Sequence, residues 1–274
     1  MDNYIIDSKQ INLSSASATS KNGSLNSSLY FNINNILKKE QDIFYNLVSV
    51  VHCEIPVSFY IINSTNNGLR IKIGSNASFP YTLRNGNYNA SSFRTMLLSI
   101  LPTGFTLTLN STTGIYTLGY TSYFQILPTS STCFRLMGFV SGATYSSENN
   151  QIIMPFQCNF LGITRLKIKS QIIQTNNIDS YSKGKSNMLC SIPVNNASFG
   201  LIIYNNISQF KTIYPNNNLD YIDIQITDDF DQLIDFNGFD INITLQIDTI
   251  RKHLHDNDSL INFLGQNEIQ LTED

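Results

Sequence analysis

Short runs of β-forming residues recur along most of this chain, and they restrict the possible folds more than any other feature of the sequence. From Ser27 onward, segments rich in Ile, Val, Tyr, Phe and Thr are separated by breaks that contain Asn-Gly, Asn-Asn-Gly or Pro. Over residues 69–73, Leu and Ile alternate with Arg and Lys, as in a strand with one buried face. The pattern predicts an all-β, antiparallel β-sandwich. The expected strands cover residues 47–55, 57–63, 69–73, 105–109, 115–118, 163–174, 188–194, 199–204, 209–214, 219–227 and 241–250.

One segment between these strands has helical periodicity. In NYNASSFRTMLLSILP, residues 87–102, five apolar residues share one face at helical spacing, and Pro102 ends the segment. Asn89 or Ser91 can cap its start. We therefore expect one conspicuous α-helix between strands. A short helical turn is also expected over 131–137, and the looser segments 142–150 and 176–184 are expected to be surface loops.

The composition limits the possible partners. Charged residues make up 14% of the chain, compared with about 25% in a typical globular domain. The net charge is −3 and basic residues do not cluster, which argues against nucleic-acid binding. No apolar run approaches the ~20 residues of a membrane span, and the N-terminus MDNYIIDSKQ lacks the pattern of a signal peptide. We expect synthesis in the cytosol.

Cysteine and histidine give no sign of a catalytic or metal site. The four cysteines, Cys53, Cys133, Cys158 and Cys190, are widely spaced without a C-x-x-C pair, so we expect reduced, buried thiols. His52 lies in a β-branched strand, which favours a core or interface role. His253 and His255 have no Glu at a metalloprotease spacing. The sequence assigns no catalytic residue, no cofactor-binding residue and no metal ligand.

The acidic stretch ITDDFDQLIDFNGFDINITLQID, residues 226–248, leaves three alternatives: a metal loop, a catalytic acid pair or a turn between strands. Asp228 and Asp229 are adjacent and no Glu follows at the spacing of a helix-loop-helix calcium site. We therefore predict a turn over 228–231, with weak Ca²⁺ binding as the alternative. A second turn at Asn237-Gly238 is expected to direct Ile241, Ile243, Leu245 and Ile247 inward.

The two ends of the chain are more polar than its middle. Residues 1–26 are rich in Ser, Asn, Thr and Lys, and we expect a flexible N-terminal arm there. Residues 27–250 are expected to form a single domain. Residues 251–274 form a polar tail with one apolar patch, for which a docked helical turn and a frayed terminus both stay open; the patch consists of Leu260, Ile261, Phe263 and Leu264.

Several segments, in this order, resemble the single jelly-roll penton or minor capsid proteins of virophages and Polinton-like DNA viruses. The resemblance covers about residues 47–250. Its segments are HCEIPVSFYIINSTNN, RNGNYNASSFRTMLLSIL, FTLTLNSTTGIYTL, FRLMGF, SIPVNNASFGLIIYNN and YIDIQITDDFDQLIDFNGFDINITLQID. The closing strand departs from the family, where a Trp is common. Here Phe239, Asp240 and Ile241 occupy that place, and the chain contains no Trp.

The resemblance implies a jelly-roll β-sandwich with extended terminal arms and a structural role in a virus capsid. It implies a homopentamer that closes the fivefold vertices of a virion assembled in the host cell. The implied neighbours are a double jelly-roll major capsid protein and other minor capsid proteins. No enzymatic activity is expected.

Three alternatives to the vertex role stay open: another minor capsid or cement protein, a receptor- or glycan-binding jelly-roll module, and an enzyme that uses aspartates 228–235. The binding module would use exposed aromatic rings in the two looser segments, at Tyr145 and Tyr181.

Overall fold

The computed structural model describes residues 4–37, 43–127, 131–140, 142–173, 177–179, 184–214 and 219–252. The described residues form one α-helix, one short 3-10 helix (Ser15–Ser17) and nineteen strands, and all strand pairs are antiparallel. The predicted all-β class with one conspicuous helix is confirmed. The elements are β1 (Tyr4–Ser14), β2 (Ser20–Lys21), β3 (Ser28–Leu37), β4 (Ile43–Pro56), β5 (Gly68–Ile73), β6 (Ser78–Thr82), α1 (Ala90–Ile100), β7 (Thr106–Leu109), β8 (Tyr116–Gly119), β9 (Phe124–Ile126), β10 (Tyr145–Ser146), β11 (Gln151–Ile153), β12 (Arg165–Lys169), β13 (Asn177–Asp179), β14 (Gly184–Ser186), β15 (Met188–Pro193), β16 (Leu201–Asn205), β17 (Thr212–Tyr214), β18 (Leu219–Thr227) and β19 (Asn242–Lys252).

The chain divides into two compact units rather than the single domain expected over 27–250. The first unit combines residues 1–58 with residues 165–274, and the second consists of residues 59–164. The second unit is therefore an insertion between β4 and β12. Sequence periodicity does not reveal such an insertion, because both units have the same alternating β pattern and similar turn residues.

The first unit is a jelly roll, as its strand order shows. One sheet has the order β1-β19-β4-β16, with β17 also on β4, and the other has the order β15-β12-β18-β3-β2. Without the short β2 and β17, the two sheets contain eight strands. Counted along the chain, these strands have the orders 1-8-3-6 and 5-4-7-2, the double Greek key of a jelly roll. We call the sheet that contains β1 the first sheet and the other the second sheet.

The N-terminal segment is a strand of this jelly roll, so the expectation of a flexible arm over residues 1–26 does not match the structure. β1 pairs with β19 along its whole length, from Tyr4 opposite Lys252 to Ser14 opposite Asn242. Leu13 is buried, whereas the neighbouring Asn12 is exposed. A polar edge strand needs few apolar side chains, because its stability comes largely from the backbone hydrogen bonds to its partner.

The core of the first unit lies between its two sheets and consists mainly of aliphatic side chains. The last strand contributes Ile243, Leu245 and Ile247, and Ile241 precedes it, so the predicted inward set is confirmed. The predicted turn before it is also present: Asn237 and Gly238 both have positive φ, at 51° and 82°. Two consecutive left-handed residues form a type I′ turn, for which Asn-Gly is the favoured sequence.

The second unit is built around the helix that the sequence predicts. Asn89 caps α1 by accepting a hydrogen bond from the Ser92 amide, and the Ser92 hydroxyl accepts one from the Asn89 amide. Phe93 and Leu97 on one helix face are fully buried. They pack in a core with residues of two small sheets, β10-β9-β5-β6 and β11-β8-β7.

One glycine of the second unit has a clear steric requirement. Gly138 has a φ of 78°, and a Cβ at this position would lie 2.2 Å from the carbonyl oxygen of Phe156. It ends the turn in which the Met137 amide donates to the Cys133 carbonyl oxygen, which matches the helical turn expected over 131–137. The FRLMGF motif thus contains a position that only glycine fits.

Other predictions differ from the structure. Residues 57–60 are not a strand, because Pro56 interrupts the pattern and the chain leaves the sheet there. The two expected loops contain short strands, β10 in one and the β13–β14 pair around the other. The expected tail 251–274 lies outside the described residues, apart from the last two residues of β19.

Candidate functional site

The aspartates at 228–231 form a turn whose contacts are internal. The Asp228 carboxylate accepts hydrogen bonds from the backbone amides of Phe230 and Gln232, at 2.8 Å and 2.9 Å. The amide of Asp228 donates to the Gln232 carbonyl oxygen, which closes the turn. Asp231 has a φ of 61°, a conformation that Asp tolerates better than most residues. Asp228 therefore serves as the acceptor that organises this turn.

Asp231 forms ion pairs with two lysines of the neighbouring strand β12. Lys169 Nζ lies 2.6 Å from Asp231 Oδ1, and Lys167 Nζ lies 3.4 Å from the same oxygen. Lys167 also donates to the Asp229 carbonyl oxygen at 3.3 Å. The lysine side chains are buried, at 7% and 9% exposure, whereas Asp231 is 31% exposed. A buried ammonium group needs such a partner, because its desolvation is costly.

These contacts answer the question posed by the acidic stretch. Burial raises the pKa of Asp228, and hydrogen bonds from the Gln232 and Phe230 amides only partly oppose this shift. Asp231 is already bound to two cations. In the described part of the chain, no group of three or more His, Cys, Asp and Glu side chains is placed to hold a metal ion. The hydrogen bonds to Asp228 and the ion pairs of Asp231 thus favour the predicted turn.

A buried carboxylate, Asp248, lies in β19 on the outer face of the first sheet. Asp248 accepts hydrogen bonds from Lys211 Nζ at 2.6 Å, Ser8 Oγ at 2.6 Å and Gln246 Nε2 at 2.8 Å. Burial alone would raise its pKa, but the hydrogen bonds from Lys211, Ser8 and Gln246 outweigh burial and lower the pKa. Asp248 therefore joins β1, β19 and the 206–211 loop through one ionised group.

His52 also lies on this outer face, between a polar and an apolar region. Its Nδ1 is 2.8 Å from Asn205 Oδ1, and its Nε2 is 3.6 Å from Glu54 Oε1. The side chain is partly exposed. The position fits the interface role that the sequence favours over catalysis. His253 and His255 lie outside the described residues.

The remaining candidate residues have structural surroundings. All four cysteines are free thiols, as predicted, although only Cys53 and Cys133 are fully buried. Burial raises the pKa of Cys133 to about 12, so its thiol stays protonated. Tyr145 is not the exposed aromatic ring expected for sugar binding, because it packs on Phe139 with ring centroids 4.7 Å apart. Tyr181 lies outside the described residues.

The most unusual surface of the first unit is an apolar strip along one edge of the first sheet. β16 and β17 follow each other along the same side of β4, opposite residues 52–56 and 46–48. We call this strip the apolar edge. It consists of six exposed side chains: Phe199, Leu201, Ile203, Ile207, Phe210 and Ile213.

Two residues of the apolar edge are almost completely exposed. Phe199 and Ile207 both have 91% exposure. Phe199 also has a φ of 68°, which is uncommon for a bulky residue. Two backbone hydrogen bonds hold it there, from the Phe199 amide to the Val57 carbonyl oxygen and from the Val57 amide to the Gly200 carbonyl oxygen. The Phe199 ring is therefore presented by a fixed backbone.

The sequence predicts the strands of this edge but not its exposure. The segment FGLIIYN is apolar at almost every position, a pattern typical of a strand buried on both faces. The structure instead places it at the edge, with Ile202 inward and Ile203 outward. The missed signal is the loss of alternation itself, since other strands of the first sheet have polar residues on their outer face.

Comparison with known proteins gives a structural similarity but no sequence match. No protein-family model matches the chain, and no curated protein sequence matches it. Among solved structures, the crystal structure of selenomethionine-labelled mavirus penton protein is similar, with a TM-score of 0.46 and 10% sequence identity. The similarity covers 90% of this chain and 99% of that chain. The jelly-roll assignment rests on the strand order of the first unit.

Within the described residues, no helix has the length and apolar character needed to cross a membrane.

Proposed function

We propose that this protein is a structural component of a virus capsid and that it acts as the penton, closing the fivefold vertices as a homopentamer. Its neighbours in the shell would be a double jelly-roll major capsid protein and other minor capsid proteins. The protein would act in the virion after assembly in the host cell, without enzymatic activity.

The observation that carries this proposal is the jelly roll, together with the segments that resemble capsid proteins. The segments 191–206 and 221–248 resemble the capsid family, and they supply strands to both sheets of the sandwich. Jelly rolls of this strand order are used for viral capsids and for lectin domains, so a glycan-binding module is an alternative with the same fold. The packing of Tyr145 against Phe139 removes one of the two rings on which that alternative was based.

Imaging of the full chain tests this proposal. The purified protein would be examined by mass photometry and negative-stain electron microscopy, alone and after co-expression with a double jelly-roll major capsid protein. We expect rings of five subunits and incorporation at particle vertices. Monomers that ignore the major capsid protein would contradict the vertex role. Binding on a glycan array by such monomers would support the receptor-binding alternative.

A further inference from the structure

The apolar edge lies at the open edge of a sheet, a position that folded proteins ordinarily protect. β16 pairs with β4 on one side, and in the described ranges no strand lies on its other side. Ile203 on its outer face is 59% exposed, and Leu201 beside it is 45% exposed. Natural proteins normally blunt such an edge with charges, Pro or a covering segment, because an open apolar edge promotes association.

Phe199 gives a second, independent indication that the apolar edge is a contact surface. A bulky residue in the left-handed region is strained and persists only where its surroundings hold it there. Here the two hydrogen bonds to Val57 fix the backbone, but the ring gains almost no burial among the described residues. A rigidly presented, exposed aromatic ring is typical of an anchor at a protein interface.

The size of the strip fits a protein partner. With roughly 200 Å² for a large side chain, the exposed fractions of the six residues amount to on the order of 700–800 Å². A standard interface buries about 800 Å² on each partner. On the side of β4, the strip is bordered by polar groups, His52 with Glu54 beside β16 and the Lys211–Asp248 pair beside β17. An apolar centre with a polar rim is the usual anatomy of an interface.

We infer that a second copy of this chain covers the apolar edge. The inference rests on the proposed self-association and specifies the surface that it uses. The area is that of a stable subunit contact rather than of a small ligand. The low net charge of −3 gives little repulsion between copies. In a closed ring the edge would contact a different surface of the next copy, because ring contacts are heterologous.

The test compares an edge variant with a matched control. The double variant Ile203→Asp/Ile207→Asp places two charges in the apolar edge, whereas the control Ile153→Asp/Leu161→Asp places two charges at residues of the second unit that are 68% and 79% exposed. Mass photometry and sedimentation velocity would measure the oligomer over a concentration series. We expect the edge variant to raise the apparent dissociation constant by at least about 100-fold, as for two hot-spot residues. The control should assemble like wild type.

Each outcome distinguishes the inferred contact at the apolar edge from the proposed fivefold role. Five-subunit rings that survive in the edge variant would overturn the inference and leave the vertex proposal standing; residues 253–274 or another protein would then be the covering segment. A wild-type dimer that dissociates in the edge variant would support the edge and contradict the fivefold role. A wild type that stays monomeric at tens of micromolar would overturn both. If the double variant fails to fold, the milder Ile203→Thr, which keeps a β-branched side chain, replaces it and should weaken assembly in the same direction.

Discussion

The first unit contains both buried charged side chains and exposed apolar side chains, and only the buried charges are explained by contacts within the unit. Lys167, Lys169 and Asp248 are hidden, and each has an oppositely charged partner within the same unit. Phe199 and Ile207 are exposed, and the described chain does not cover them. The hidden charges are explained by the fold alone, since their partners are internal. The exposed apolar side chains have no such explanation, and they point to the apolar edge rather than to the acidic turn as the functional surface.

The largest expected effect concerns the buried lysines. Asp231→Ala would leave Lys167 and Lys169 without their shared carboxylate, and removing one partner of a fully buried pair costs about 3–5 kcal/mol. Because Asp231 is 31% exposed, we expect a smaller loss, about 2–3 kcal/mol, in urea unfolding. Asp229→Ala is the matched control, since the hydrogen bond from Lys167 is to the backbone oxygen of that residue, which alanine retains. Equal losses in the two variants would show that the ion pairs are not what stabilises this turn.

A second prediction uses pH to separate two carboxylates. The pKa of Asp248 is lowered in the folded state, so its contribution to stability is present above about pH 4 and is lost as the pH falls below 3.8. We expect Asp248→Asn to be less stable than wild type at pH 7, by roughly 1–2 kcal/mol, and the difference to shrink in acid.

Asp228 should behave in the opposite way. Its pKa is raised by burial, so the ionised carboxylate carries a penalty at pH 7 that disappears as the pH falls through the raised pKa towards 3.8. Asp228→Asn retains an acceptor oxygen for the turn and removes the ionised carboxylate. We therefore expect the variant to be more stable relative to wild type at neutral pH than it is in acid. Parallel pH profiles for the Asp228 and Asp248 variants, from thermal unfolding between pH 3 and 7, would contradict both assignments.

The third prediction removes the backbone strain at the apolar edge. Phe199→Gly suits a φ of 68° and deletes a side chain that is 91% exposed. Glycine fits this conformation without steric cost, so we expect the isolated subunit to keep its stability or gain up to about 1 kcal/mol. Self-association should weaken in the same variant. A loss of more than about 1 kcal/mol would mean that the ring supports the fold itself.

The smallest expected effect is on the exposed part of the strip. Ile207→Ser should change the free energy of unfolding of the dissociated subunit by no more than about 0.5 kcal/mol, because the side chain has few contacts to lose. Chemical denaturation at low protein concentration measures this. A clearly larger loss of unfolding free energy would mean that the Ile207 side chain supports the fold, as the buried charges do.

Local features of this fold could be predicted well from the sequence. The helix and its buried face follow from the spacing of Phe93 and Leu97 and from the stop at Pro102. The last strand follows from strict alternation after Asn237-Gly238, because that dipeptide fits a type I′ turn. The turn at Asp228 was also predictable, since short acidic side chains accept hydrogen bonds from amides two to four residues ahead.

Long-range features could not be predicted in the same way. The polar β1 depends on β19, whose sequence lies more than 200 residues further along the chain. The partners of Asp231 are two lysines on β12, and nothing in the local sequence indicates that pairing. The limits of the second unit were missed for a similar reason, since its strands have the same period as those of the jelly roll around it.

The sequence by itself determined the all-β class, the capped helix, the tight turns and the inward face of the closing strand, because these depend on propensities and on spacings of a few residues. Only the tertiary structure decided which strands are neighbours, which charges are buried together and which apolar face stays exposed. The physical reason is that alternation specifies two faces of a strand but not whether the strand lies at the centre or at the edge of a sheet. For β16, that position is what turns an apolar strand into a candidate interface.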